Sequence, residues 1–395
     1  MIKKVLKCGI KFLLLTILAL LNIEIMKIKF VQLAICFAIF SLHAQKTNYN
    51  LLVGTYTKNC DSKGIYVYDF DSETANFKTK NSSDTVINPS YLTASNGNDF
   101  IYSVNENGDE STISAFSYYP KTGALQFLNK QTSQGADPCH LINDAKNVIV
   151  ANYSGGTLAV FGKKKDGSLT AAKQVIKHSG QSINTKRQEK PHAHMVHFSP
   201  DKKFVLSTDL GTDKIYLYKY NPVAVDKILL ASDSIAIKAG SGPRHLTFSN
   251  NGKFVYLVQE LDGAVTVFAY AKGKLVKIQE TTILAPDYKG AVGSADIHIS
   301  PDGLFLYATN RGEANTITIF KILKNGSLER TEIASALGKG PRNFVIDPSG
   351  KYLLIANQYT NEIVIFKRDK TSGSLADTGK RITLCAPVCL IFTKQ

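Results

Sequence analysis

The chain has 395 residues, of which 44% are hydrophobic, 20% charged and 10% aromatic, with no Trp but 18 Tyr and 20 Phe. That mixture belongs to a globular protein with a sizeable core and excludes a largely disordered or collagen-like chain. The formal charge of +15 falls to +10 without the first 44 residues, and the remaining lysines form no run or stripe, so a solvated basic surface accounts for them and no nucleic-acid partner is implied.

Two apolar stretches open the chain. Phe12 to Leu21 follows a lysine-rich start, and Met26-Lys27-Ile28-Lys29 precedes Phe30 to Leu42. The second stretch has the parts of a secretory signal: a basic n-region, an apolar h-region and a small residue, Ala44, before the cut. Residues 1–44 therefore read as a leader, with Met26 as a candidate true start and cleavage expected after Ala44. Leu42 makes the cleavage site imperfect, and a retained anchor is the competing reading. Each stretch alone falls short of the roughly 20 residues that a bilayer span needs, and no later segment is apolar enough to cross. The expectation is an exported protein, periplasmic or extracellular, with no stable membrane span after processing.

Residues 45–395 carry Cys60, Cys139, Cys385 and Cys389. Four cysteines in a chain of this length do not make a disulfide framework, though an oxidising compartment leaves room for one bridge. Cys385 and Cys389 have no matching cysteine or histidine pair at zinc spacing, so no structural zinc site is expected.

A repeat of about fifty residues organises this part of the chain. GPRHLTFSNNGKFVYLVQE from Gly242, GSADIHISPDGLFLYATNR from Gly293 and GPRNFVIDPSGKYLLIANQ from Gly340 align without a gap. Looser copies begin at Pro89, Pro138 and Pro191, and the equivalent positions 89, 138, 191, 243, 294 and 341 lie 49, 53, 52, 51 and 47 residues apart. Each copy is a short alternating strand, a polar turn with Gly, and a second strand ending in Asn, Asp or Gln. A further hairpin follows, as in Ala264 to Tyr270 and Thr316 to Lys321. Period-two alternation bounded by Gly, Asn and Asp specifies strands, and four strands per fifty residues is the pattern of a propeller blade. Near the C-terminus, Ala386 to Phe392 matches a first strand with no second strand behind it, while Leu51 to Tyr56 is a second strand with no first strand before it. Joined, they complete a seventh blade and hide the edges that an open ring would expose. The expected fold is all-β: one seven-bladed β-propeller over residues 45–395, with four antiparallel strands per blade and the ring closed by N- and C-terminal strands sharing one blade.

Innermost strands of a propeller line its central channel. The second residue after the leading Pro reads Tyr91, His140, His245, Asp296, Asn343 and Cys389 around the ring, and the Pro191 copy carries an apparent two-residue insertion with His192 and His194. Polar groups at core positions cost stability unless paired, so this ring implies a polar channel or a site. His140, His192, His194, His197, His245 and His298 all fall on expected inner strands. The second strands end in Asn105-Glu106, Asn152-Tyr153, Asp209-Leu210, Gln259-Glu260, Asn310-Arg311 and Asn357-Gln358. The Asn, Asp or Gln is expected to bond the backbone of a turn. Glu106, Glu260 and Arg311 are not explained that way and are charges beside a narrowing pore. A histidine-bound metal is a rival explanation of the histidines, but no helical His pair fixes its geometry, and no metal is expected. The sequence has no Gly-x-Ser-x-Gly elbow and no nucleotide fingerprint.

These residues resemble the lactonase-type seven-bladed propellers, the family of propeller 6-phosphogluconolactonases and fungal carboxymuconate lactonising enzymes. GPRHL at Gly242, Gln259-Glu260-Leu261, SADIHISPDG at Ser294, Asn310-Arg311-Gly312, GPRNF at Gly340 and LLVGTYT at Leu51 carry the resemblance, which runs from about Asn50 to Phe392. It implies a site at one channel mouth with His194, Glu260, Arg244 and Arg311 as catalytic residues. His140, His192, Asp209, His245, Asp296 and His298 would lie nearby and bind substrate, and which of His192 and His194 acts stays open. It further implies hydrolysis of a small, anionic sugar-acid lactone with no cofactor. Histidine, or Glu260 with its pKa raised by burial, would accept the proton of the attacking water, and Arg244 and Arg311 would hold the anion. The alternatives are a muconate-type lactonising isomerase and a non-catalytic exported binding propeller.

Overall fold

The computed structural model describes residues 2–41, 48–58 and 60–395, in two units, 1–47 and 48–395. In the first unit, Ile2–Ser41 is one α-helix. The two apolar stretches are therefore not separate short segments. The polar break between them stays helical, with Glu24 and Lys27 paired at 2.9 Å across one turn. The 22 residues Gly9–Phe30 are long and apolar enough to cross a membrane, which corrects the expectation that neither stretch reaches that length. The cleavage expected after Ala44 lies outside the described residues.

The second unit holds seven four-stranded antiparallel sheets. In chain order they are blade I (92–132), blade II (138–177), blade III (193–236), blade IV (243–282), blade V (294–335), blade VI (341–383) and blade VII, in which Pro387–Lys394 pairs with Asn48–Thr55. That closing register sets Leu52 against Ile391 and Val53 against Leu390. A disulfide between Cys60 and Cys385 clips the same two chain ends together, while Cys139 and Cys389 are buried free thiols.

Alternation along the strands puts one apolar face on each neighbouring blade. The cores consequently lie between blades: Tyr102 and Val104 of blade I pack with Leu141, Val150 and Phe161 of blade II, and Tyr256 and Val258 of blade IV with Leu306 and Phe320 of blade V. The recurring Ser-x-Asp/Asn turn has a local cause. The Ser199, Ser249 and Ser300 hydroxyls accept from the backbone N–H of Phe204, Phe254 and Phe305 at 2.9 to 3.0 Å, which holds the first two strands of blades III, IV and V in register.

Two features of this ring position the site. Inner strands begin with an irregularity in pairing, between Pro138 and His140, Ala193 and Met195, Pro243 and His245, Ser294 and Ile297, and Pro341 and Asn343. Such bulges re-aim a side chain. The residue after each second strand is also pinned by one recurring backbone hydrogen bond. Tyr56, Glu106, Tyr153, Leu210, Glu260, Arg311 and Gln358 donate N–H to the carbonyls of Ala386, Asn88, Asp137, His192, Gly242, Gly293 and Gly340. In every blade but blade I, where the inner strand Leu92–Ala94 pairs regularly, the acceptor lies two residues before a position that bulges. Seven copies of this link set two rings of side chains at one mouth: Ser90, Cys139, His194, Arg244, Ala295, Arg342 and Val388 from the inner strands, and the seven donors from the second strands.

Candidate active site

Members of both rings line a cavity of about 320 Å³ at this mouth, among them Glu106, Cys139, Tyr153, His194, Glu260, Arg311 and Arg342. At its centre Glu260, 5% exposed, is held by three arginines. Arg187 Nη2 reaches its Oε1 at 2.6 Å, while Arg244 Nε at 2.8 Å and Arg311 Nη2 at 3.0 Å reach Oε2. Burial alone would raise the pKa of this carboxyl, but the charges of Arg311, Arg244 and Arg187 outweigh burial and bring it down to about 2. Glu260 is therefore a fixed anion, not the raised, proton-accepting carboxyl expected from burial. Arg244 and Arg311 are in turn oriented by backbone carbonyls, Arg244 by that of Ala295 and Arg311 by those of Gly293 and Ser294.

His194 is 5% exposed, with Nε2 at 3.8 Å from Glu260 Oε2. The Cys139 thiol donates to its carbonyl at 3.2 Å and lies 3.7 Å from its Nδ1. Burial, followed by the charge of Arg244, pushes the imidazole pKa well below its ordinary value, so the ring is neutral at pH 7.

The seven-fold register gives the two histidines of blade III different positions. Ala193 is equivalent to Pro243, and His194 to Arg244; His192 is equivalent to Gly242. The apparent insertion therefore precedes the inner strand, and Met195 is the channel residue of blade III. His192 stacks on Tyr153 with ring centroids 4.5 Å apart and bonds Glu189 at 3.2 Å, at the rim and not on the cavity wall. Asp209 likewise stays away from the cavity. It takes His178 Nδ1 at 2.6 Å and the backbone N–H groups of His192 and Thr212 at 2.9 and 3.0 Å. That is the turn-bonding role expected for strand ends, which Asn152, Asn310 and Asn357 also fill.

His140, His245, Asp296 and His298 lie deeper, towards the opposite mouth. Asp296 takes His245 Nδ1 at 2.8 Å and His298 Nε2 at 2.9 Å, and Asn343 also donates to it. Burial opposes the Asp296 charge, yet His298 and His245 hold its pKa well below the usual carboxylate range. Neither His140 nitrogen nor His245 Nε2 has a hydrogen-bond partner. A separate hollow of about 290 Å³ is lined by His140, His197, Asp296 and His298. His140, Asp296 and His298 are thus not brought to the His194–Glu260 cavity, whereas His245 packs edge-on against His194 with ring centroids 5.3 Å apart. A further hollow, about 540 Å³ beside Ile87, Phe116 and Phe127, contains none of the expected site residues.

Arg342, Arg187 and Tyr153 are among the mouth residues that escaped the expected site. Arg342 occupies the bulge position equivalent to Arg244. Among the described residues it makes no hydrogen bond or ion pair, only a contact over the Tyr56 ring at 5.3 Å. Its signal was the repeated Gly-Pro-Arg at Gly242 and Gly340. Arg187 comes from the long connection between blades II and III, where no repeat points to it. Tyr153, at a strand end, takes Arg187 Nη2 on its hydroxyl at 3.2 Å. Chemically, the cavity combines a neutral imidazole, fixed cationic donors and an arginine with free N–H groups. That set suits water activation beside an anion. Among the described residues no group of three His, Cys, Asp or Glu side chains has metal-binding geometry.

Residues 50–392 match the family model described as lactonase, 7-bladed beta-propeller, and the chain belongs to that family. It is 34% identical to a 6-phosphogluconolactonase of Bacillus subtilis, over 88% of this chain and 99% of that protein. A crystal structure of a putative 6-phosphogluconolactonase from Bacteroides fragilis superposes with a TM-score of 0.85 at 43% identity, covering 89% of this chain and 99% of that one. The periplasmic gluconolactonase of Pseudomonas aeruginosa superposes with a TM-score of 0.83 at 35% identity, covering 88% and 99%.

Proposed function

We propose that this protein hydrolyses a sugar-acid lactone, and that the substrate carries an anionic group as in a 6-phosphogluconolactone. The observation that carries the reading is one cavity where a neutral buried histidine, His194, meets arginines fixed by Glu260 and a further arginine, Arg342, with its N–H groups free. Relatives named as lactonases support it over most of the chain. An open cavity lined by charges also favours catalysis over a purely binding propeller.

In this reading His194 takes a proton from the water that attacks the lactone carbonyl. Glu260, 3.8 Å away, stabilises the imidazolium that forms. Arg244 and Arg311 face the oxyanion as donors already oriented by Glu260 and by backbone carbonyls, so little reorganisation accompanies the charge as it develops. Arg342 binds the distal phosphate or carboxylate in a two-pronged manner. The N-terminal helix serves as an export signal, cut after Ala44. The periplasmic relative and the Cys60–Cys385 bridge fit that placement.

The test is a panel of phosphorylated and plain lactones assayed on residues 45–395, with spontaneous hydrolysis subtracted. His194→Ala is expected to lower kcat by about a hundredfold or more with the fold retained. Arg342→Ala should raise KM about tenfold for the phosphorylated lactone and much less for a neutral one. Wild-type protein that opens no lactone of the panel above background overturns the reading.

A further inference from the structure

Glu106 is the second carboxyl of the cavity, and its surroundings are unlike those of Glu260. It sits at the equivalent strand end of blade I. Its carboxyl touches no cation. Tyr56 OH lies 3.1 Å from both oxygens, and the Ser90 hydroxyl reaches Oε1. Its backbone is fixed on both sides: its N–H donates to the Asn88 carbonyl, and Asn88 Nδ2 donates back to the Glu106 carbonyl at 2.9 Å. Hydroxyl partners matter chemically. A hydroxyl donates to a carboxylate and, by rotating, accepts from a carboxylic acid, so both protonation states of Glu106 stay partnered. Arginine partners, like those of Glu260, serve the ionised form alone.

The charged and titratable groups facing Glu106 are Tyr56, Arg342, Asp137 and Cys139. Burial is the largest influence and raises the Glu106 pKa; Arg342 and the two hydroxyls oppose it without cancelling it, and Asp137 adds to it. One cavity thus holds one carboxyl pushed up and another held down, the arrangement that separates an acid from an anion.

Lactone opening needs such an acid. The tetrahedral intermediate expels its ring oxygen as an alkoxide, far too basic to leave unprotonated near neutral pH. Resting on the lactonase reading above, we propose that Glu106 is the catalytic acid that protonates the departing ring oxygen, with Tyr56 and Ser90 as its positioning residues. In the balanced step, water's oxygen bonds to the carbonyl carbon and its proton passes to His194. The bond from that carbon to the ring oxygen then breaks as the Glu106 proton moves to that oxygen. The products are the hydroxy acid, imidazolium and the Glu106 carboxylate. Loss of the acid's proton and the imidazolium proton, and return of one to Glu106, releases one proton per turnover.

The experiment compares Glu106→Gln with wild type on two lactones, an aliphatic sugar lactone and dihydrocoumarin, whose phenolate leaves without help. Gln keeps the shape and removes the acid. The expected result is a loss of about a hundredfold or more in kcat on the sugar lactone but under about fivefold on dihydrocoumarin. The fall of kcat with rising pH that the acid imposes on the sugar lactone should also disappear. Tyr56→Phe, a second variant should Glu106→Gln fold poorly, is expected to show a smaller loss with the same dependence on leaving group. Equal losses on both substrates, or none, overturn the assignment while leaving the lactonase reading standing. Wild-type protein inactive on both lactones removes both.

Discussion

Glu260 stands where three guanidinium groups need a negative charge, and that need decides what its replacement does. Arg244 is 2% exposed and has Glu260 as its charge partner. Glu260→Gln leaves buried positive charge uncompensated, a change of about 3–5 kcal/mol where it has been measured for buried pairs. The variant should melt several degrees below wild type and lose lactonase activity by about a hundredfold, because Arg244 and Arg311 are no longer held. Inorganic phosphate should raise its Tm more than that of wild type, since an anion can take the vacated position. Equal phosphate shifts in the two proteins would argue against an arginine cluster organised by Glu260. Glu260 and Arg311 were legible in the sequence as charges where a strand-ending residue had no structural use for them. The role of Glu260 was not, because burial and three cations push its pKa in opposite directions, and the cations come from blades IV and V and from a connection with no repeat.

At the scale of the element, the bulge that opens an inner strand converts a regular sheet into a site. Counting alternation from the leading Pro selects His140, His245 and Asp296, which the structure sends down the channel. The bulge turns the preceding residue to the mouth, and that places Cys139, Arg244 and Arg342 there. A bulge is a property of backbone pairing and leaves no mark on hydrophobic period, so Arg342 was missed although its Gly-Pro-Arg was in plain view. Strand count and closure, by contrast, were written in the spacing of the copies. Close backbone approach at these ends can be tested at Gly312. A Cβ there would lie 1.9 Å from the Ala291 carbonyl oxygen, and no side-chain rotation relieves a contact with backbone. The loop before blade V must shift, disturbing the bond from the Arg311 N–H to the Gly293 carbonyl at 2.9 Å. Gly312→Ala should cost stability and about tenfold in kcat/KM, read by melting and by lactone assay. Wild-type values in both would show that the loop yields freely.

For the whole molecule, stability couples to pH through the histidines packed in the channel. Burial, the first cause in each case, lowers the pKa of His140, His194, His197 and His245, that of His245 to about 4. The unfolded chain takes protons on these groups near pH 6.5 while the folded ring refuses them. Stability should therefore be full above that pH and fall as pH drops from about 6.5 towards 4. His298, whose pKa Asp296 raises against the effect of burial, works the other way, its contribution full below 6.5 and lost above its folded value. One group against four leaves acid destabilisation dominant, and Glu260 extends it from about 4.5 down to about 2. Thermal melts at pH 7, 5.5 and 4.5 should show a progressive fall in Tm; an unchanged Tm would mean that the channel admits protons without cost. The ring resists opening at blade VII, where the Cys60–Cys385 bridge spans 325 residues of sequence. A bridge closing so long a loop restricts the unfolded chain, typically by about 2–4 kcal/mol. Cys60→Ser should lower Tm and speed amide exchange first in 48–55 and 387–394, the two paired strands whose separation turns the ring into an open arc with two bare edges. Exchange that rises equally in all seven blades would mean that the ring unfolds as a unit and that the bridge guards no particular seam.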